Sequence, residues 1–157
     1  MEIVQFYRGH PNPPKTTQGA HLGSNALIVC NNRLLLEKRK DNGQWGLVGG
    51  GVKRQESTLQ AITREIYEEL GLRVTHDQFR KLGVYGEPGR IAAYRDGSIW
   101  RMVIVAYWLE LDEVPKIVIS NESEDMRFFS KEELKTLPIV VTHSDIIEQW
   151  FMNNESG

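Results

Sequence analysis

An α/β fold organised around one sheet is the architecture this chain predicts, and three observations predict it. Short β-like runs alternate with stretches of helical period along the length of the sequence. One amphipathic stretch, Thr58 to Leu70, carries its own start and stop signals. The longest β-like run, Trp100 to Leu111, is rich in Val, Ile, Trp and Tyr and reads as a central strand.

The elements follow in order. Pro11, Pro13 and Pro14 make residues 1–17 an extended lead-in, because proline removes a backbone donor and turns its predecessor away from the helical region. Asn25 to Cys30 and Leu34 to Lys38 are β-like runs around Asn31-Asn32, a pair suited to a tight hairpin turn. Lys40 to Gly43 is a loop, and Trp45 to Val48 is a short strand that feeds Gly49-Gly50-Gly51. Ser57 and Gln60 have capping-box spacing, so a helix opens at Thr58, and Gly71 closes it. Leu59, Ile62, Ile66 and Leu70 form its apolar stripe. Glu65, Glu68 and Glu69 share the flank beside that stripe, with Arg64 and Tyr67 expected on the other side. Val74 to Tyr85 has weaker strand signals. Pro88, Gly89 and Gly97 suggest a loop or irregular hairpin over Gly86 to Asp96. Ser120 to Asp125 is expected as an acidic loop before a strand over Met126 to Phe129. A second capping box, Ser130 with Glu133, opens a short helix to about Thr136. Ser144 to Met152 closes the chain as a helix that packs Ile146, Ile147, Trp150 and Phe151 inward.

The 157 residues suffice for one domain, expected to span 1–157. A net charge of −2 provides no global basic field, which argues against a nucleic-acid partner. The one cysteine, Cys30, cannot form an internal disulfide and sits in an apolar run as a small hydrophobe. No secretory leader is recognisable, and no stretch approaches ~18 continuous apolar residues. A cytoplasmic protein with no membrane partner is expected, and a homodimer is left open.

The chemistry is concentrated in one segment. Like charges at i,i+3 and i,i+4 on a helix repel by roughly 0.2–0.5 kcal/mol per pair. Stability alone therefore gives little reason to place Glu65, Glu68 and Glu69 together. A hard divalent cation converts that repulsion into coordination, since Mg²⁺ and Mn²⁺ prefer carboxylate oxygens and water. Glycines just upstream let the backbone approach a metal–phosphate cluster.

Written out, the segment is Gly50, five residues, Glu56, seven residues, then Arg64-Glu65-Ile66-Tyr67-Glu68-Glu69-Leu70-Gly71-Leu72. It resembles the Nudix hydrolase (MutT-like) signature at every specified position. Departures fall on unspecified sites: Val48 stands where many members have proline, and Gln55 where many have glycine. The resemblance implies an α/β/α sandwich with a mixed sheet. It also implies Mg²⁺- or Mn²⁺-dependent hydrolysis of a nucleoside diphosphate linked to another moiety, so the partner is a small nucleotide-type substrate. By the same likeness Glu68 and Glu69 look like metal ligands, Glu65 like a ligand or the base for water, and the Gly49 carbonyl like a backbone ligand. Arg64 would hold a glutamate by a charge-assisted hydrogen bond. Gly50 would support the loop, and Glu56 would support it or bind a further metal. The late acidic loop offers Glu122 or Asp125 as an accessory acid. A catalytically silent module that binds a nucleotide or sugar nucleotide is the alternative, marked by a degenerate motif. An isomerase or decapping-like activity is a third.

Outside the signature, Arg39 and Arg101 could contact phosphate or simply be surface arginines. Trp45 could stack on a base, although core packing suits it better. His21 and His143 lack a Cys or His at zinc spacing and are given no metal role. The motif reads the diphosphate and leaves the rest of the substrate unspecified.

Overall fold

The computed structural model describes residues 2–154; residue 1 and residues 155–157 of the expected domain lie outside the described residues. Asn31 and Asn32 both take left-handed backbone, φ 52° and 61°, the pairing a two-residue hairpin turn demands. They join β2 (Ala20–Cys30) to β3 (Arg33–Arg39). Among the described residues the strands form one mixed sheet of nine: β1 (Ile3–Tyr7), β2, β3, β4 (Trp45–Gly46), β5 (Val48–Gly51), β6 (Arg80–Tyr85), β7 (Ile91–Tyr94), β8 (Ile99–Glu110) and β9 (Ser123–Phe129). β8 is central, parallel to β2 on one side and antiparallel to β6 and β7 on the other. The far edge of β2 carries β5 beside its early residues and β3 beside its end.

Side chains of β2, β3 and β8 alternate between two cores, as a strand buried on both faces requires. Ala26, Ile28, Leu35, Tyr107 and Leu109 face α1 (Thr58–Leu70) through Ile62, Ile66 and Leu70. Leu27, Val29, Leu34, Leu36, Ile104 and Ala106 face Ile146, Ile147 and Trp150 of α3 (Val141–Asn154). α2 (Lys131–Leu134) adds Leu134 to that side. The result is the α/β/α sandwich expected. α1 has the predicted limits, with both capping-box bonds formed at Ser57 and Gln60 and a left-handed C-cap at Gly71. The second capping box also forms, at Ser130 and Glu133.

Five elements differ from expectation. The lead-in contains β1, which pairs with β7 on the edge of the sheet, and β7 itself supplies order to a region expected as loop or irregular hairpin. β2 begins at Ala20 rather than Asn25, because its early residues pair with the glycines of β5 and so need no apolar alternation. β9 begins at Ser123, so Glu124 and Asp125 lie on a strand. Pairing of Lys38 with Asp125 in register and a Lys38–Glu124 ion pair at 3.4 Å offset the edge charges. α3 starts at Val141, one turn early. Trp45 is buried, edge-on to Phe129 at 4.9 Å, which is the core role.

The turn yields a stability test. Asn32→Gly relieves the left-handed cost and keeps stability near or above wild type in urea unfolding. Asn32→Val forces a β-branched residue into the same conformation and is expected to cost about 1–2 kcal/mol.

Candidate active site

Register places the triple glycine. Gly49, Gly50 and Gly51 of β5 lie opposite Asn25, Ser24 and Gly23 of β2. Gly49 has φ 147°, and a side chain there would collide with the Ser24 carbonyl oxygen and the Asn25 backbone. Ser24 Oγ donates to the Thr58 carbonyl at 2.8 Å, which ties this ladder to the start of α1. The glycine strand is thus pinned against the helix that carries the glutamates. Glu65 lies against it: a Cβ added to Gly50 would sit 2.6 Å from Glu65 Oε1.

Arg64 binds the acids together. Its guanidinium donates to both oxygens of Glu56 at 2.6 and 3.0 Å, to Glu65 at 2.8 Å, to Glu68 at 3.2 Å and to the Gly51 carbonyl at 3.1 Å. Arg64 therefore lies on the acidic side of α1, not across the stripe from it, because position 64 is the i−4 neighbour of Glu68. The Arg64 hydrogen bonds, helped by the Lys53 backbone N–H, hold the Glu56 carboxyl down to about 2.

A cavity of about 660 Å³ opens beside this cluster and is lined by Gly49–Gly51, Glu37, Glu65, Glu69, Arg39 and Glu122 among others. Glu69 is 5% exposed, and its Oε2 has no hydrogen-bond partner among the described residues. Burial first, then the facing carboxylates of Glu37 and Glu65, push its pKa far above the usual range. Burial likewise raises Glu37, whose Oε2 accepts from Ser123 Oγ at 2.8 Å. Glu68 is half exposed and turned to Arg64. Among the described residues no three His, Cys, Asp or Glu side chains are already gathered to hold an ion.

Of the residues singled out by sequence, Gly49, Gly50, Glu65, Glu69, Arg39 and Glu122 reach the cavity. Glu56 and Arg64 stand behind it. Asp125 does not reach it: its carboxylate pairs with Arg127 at 2.7 Å and caps its neighbour Met126 N–H at 2.8 Å. Arg39 is not a free surface arginine, since Asp41 holds it through two bonds, one of 2.9 Å and one of 2.6 Å, and the Ile3 N–H donates to the same Asp41 at 3.0 Å. Arg101 is spent on the Gly86 carbonyl. Sequence reasoning missed Glu37, although a signal existed. Leu35 faces α1, so period two sends Glu37 to that face, a charge in an otherwise apolar run.

The NUDIX domain model matches residues 20–150. The nucleoside triphosphatase NudI of Enterobacter sp. (strain 638) is 31% identical over 115 residues, 73% of this chain and 79% of that protein. The MutT NUDIX hydrolase of Burkholderia pseudomallei superposes with TM-score 0.68 at 31% identity, over 84% of this chain and 98% of that one. The NUDIX domain of Shewanella oneidensis NrtR, solved in complex with ADP ribose, superposes with TM-score 0.72 at 19% identity over 92% and 95%, a likeness of fold. No described helix is long and apolar enough to cross a membrane.

The carboxylates set a pH dependence. Raised folded pKa values mean that Glu37 and Glu69 favour the folded state while protonated, and that this contribution fades as pH rises above about 4.5, the unfolded value. His21 and His143, both lowered chiefly by burial, act in the opposite sense below pH 7. In EDTA, raising pH from 7 to 9 is expected to lower unfolding free energy by up to about 1.4 kcal/mol per unit while one proton stays on the pair. Glu69→Gln should flatten that slope; equal slopes in urea unfolding would contradict the shift.

Proposed function

The chain belongs to the Nudix hydrolase family, and on that premise we propose that it hydrolyses a phosphoric anhydride bond in a nucleotide-type substrate with Mg²⁺ or Mn²⁺ as cofactor. The observation that carries the reading is the buried, unpartnered Oε2 of Glu69 at a cavity wall beside Glu37 and Glu65. A buried carboxyl oxygen without a hydrogen-bond partner costs stability, and a hard cation is the partner that an oxygen-only set suits once the proton leaves. The residues present therefore fit the ion. Glu65, Glu69 and the Gly49 carbonyl, which line the cavity with Glu37, would hold it, and Glu68 would join them from its pairing with Arg64. When bound, it supplies charge neutralisation at the phosphates and acidifies water.

The chain's own groups do the rest. Gly49–Gly51 let phosphate oxygens approach the backbone closely. Arg64 keeps one oxygen of Glu65 occupied at 2.8 Å, which fixes the direction of the other. Arg39 stands on the cavity wall as the cation that meets phosphate charge, oriented by Asp41. Glu122 is the acid from the late loop that lines the cavity, and it is assigned the proton of the attacking water. Nucleoside triphosphates are the first class to assay, because the NudI relative is a nucleoside triphosphatase; ADP-ribose comes second, as the ligand of the NrtR domain. The intact signature leaves the binding-only alternative without an observation in its favour.

A panel of these nucleotides, followed by phosphate release, tests the reading. Turnover should require Mg²⁺ or Mn²⁺ and vanish in excess EDTA; full turnover in EDTA would sink the proposal. Glu69→Gln should abolish turnover, raise the metal-free melting temperature and shrink the rise that Mg²⁺ produces.

The accessory acids separate in the same assay. Glu122→Gln is expected to lower kcat by roughly 100-fold or more, while Asp125→Asn stays near wild type. The reverse ranking would move the base to β9.

A further inference from the structure

Glu37 reaches the cavity wall from β3, outside the segment Gly50 to Leu72 that carries the signature. It is 7% exposed, and its carboxyl is in hydrogen-bond contact with that of Glu69. The Ser123 hydroxyl takes its Oε2. A bulge delivers that hydroxyl. Met126 pairs with Glu37 and Asp125 with Lys38, but the next residue of β3, Arg39, pairs with Ser123. Glu124 is therefore the extra residue, and Ser123 moves to the face that Glu37 and Arg39 share. Regular pairing would set Glu124 opposite Arg39 and turn Ser123 to the other face. The chain supplies no cation to the acids that meet here. Arg64 is bonded to Glu56, Glu65 and Glu68, and Arg39 to Asp41. Among the described residues neither Glu37 nor Glu69 has an ion-pair partner. Glu69 Oε2, buried and without a hydrogen-bond partner, belongs to the same contact. A core that needed only an acceptor for Ser123 would be served by glutamine, without a second acid against Glu69.

We propose that Glu37 is a further carboxylate ligand of the divalent cation, contributed by β3 opposite Glu69 and held in orientation by Ser123. This deepens the hydrolase reading and rests on its cation. With one Glu37 oxygen occupied by a hydroxyl donor, the other is left for the ion, and an outer hydrogen bond of this kind fixes the direction of a ligating carboxylate. A hard cation takes oxygens from several elements at once. Here those elements are β3, the glycine strand β5 and α1, so coordination ties the sheet to the helix where their acids meet. The crowding of Glu37 on Glu69 becomes shared attraction to one charge.

Two variants separate a ligand from a nearby charge. Glu37→Gln keeps the shape and an acceptor for Ser123 and removes the charge. Glu37→Asp keeps the charge and draws its oxygens back by one methylene. Mn²⁺ is titrated into each metal-free protein without nucleotide, and the free ion is counted by its solution EPR signal. The melting temperature is followed with and without Mn²⁺. Both variants are expected to weaken Mn²⁺ binding by about tenfold or more and to shrink the rise in melting temperature that Mn²⁺ produces. Glu37→Gln should melt at or above wild type without metal. Wild-type affinity in Glu37→Gln would overturn the proposal. So would wild-type affinity in Glu37→Asp alone, which makes Glu37 a charge acting at a distance. Weaker binding that only follows a lower metal-free melting temperature in both variants would overturn it too. If both variants weaken Mn²⁺ binding but no nucleotide is turned over by wild type, the hydrolase reading fails and the ligand stands. If both bind Mn²⁺ as wild type does and nucleotide is hydrolysed, the ligand assignment fails and the reading stands.

Discussion

Glu37 of β3 and Glu69 of α1 are buried against each other where the sheet meets the helix, and the layout of the site follows from that contact. Two carboxylates there resist ionisation, through lost solvation and mutual repulsion. The helix docks nonetheless, because Ile62, Ile66 and Leu70 are fully buried on the same face. At about 1.5–3 kcal/mol for each large apolar side chain removed from water, the stripe outweighs the cost of holding a carboxyl protonated. Hydrophobic packing fixes the distance between strand and helix, and the acids have to accept it. The Glu37–Glu69 contact is therefore a strained arrangement held by its neighbours, the usual condition of a functional site.

Arg64 relieves the outer acids and not the inner pair. Its bonds go to Glu56, Glu65, Glu68 and the Gly51 carbonyl, so one guanidinium joins the glycine strand to the helix face. The wall opposite is assembled from distant sequence. Asp41 receives both the Arg39 guanidinium and the Ile3 N–H, and so fastens the edge strand β1 over the cavity. Across the sheet, the fully buried Arg90 joins Glu87 and Asp145, which locks the loop before β7 to α3 and sets the position of His143.

What could be read from the sequence divides along local and non-local lines. α1 and its caps, the Asn31-Asn32 turn and the second capping box depend on contacts within a few residues, and each has its expected place. The signature made Glu65, Glu69 and the glycines legible as one cluster for the same reason, since helix and loop adjoin. The placement of Glu122 in the cavity and of Asp125 outside it depends on where β9 joins β3, a pairing across more than eighty residues. β1 and β7 were obscured by proline and glycine beside them, and each is stabilised by the other more than by its own pattern. His143 was set aside because its spacing fits no zinc site, and its setting comes from β1, β4 and α3 together. Nothing near it in sequence announces a cavity.

The cavity wall treats charge of either sign alike. Glu37 and Glu69 are crowded together there, and burial holds both pKa values up. For His143 the same loss of solvent works in the opposite direction, and the charges of Arg39 and Arg90 add to it, so the proton that would make it a third cation is excluded. Burial thus favours the protonated carboxyl and the unprotonated imidazole by one mechanism, since each change removes a charge from a place that water cannot reach.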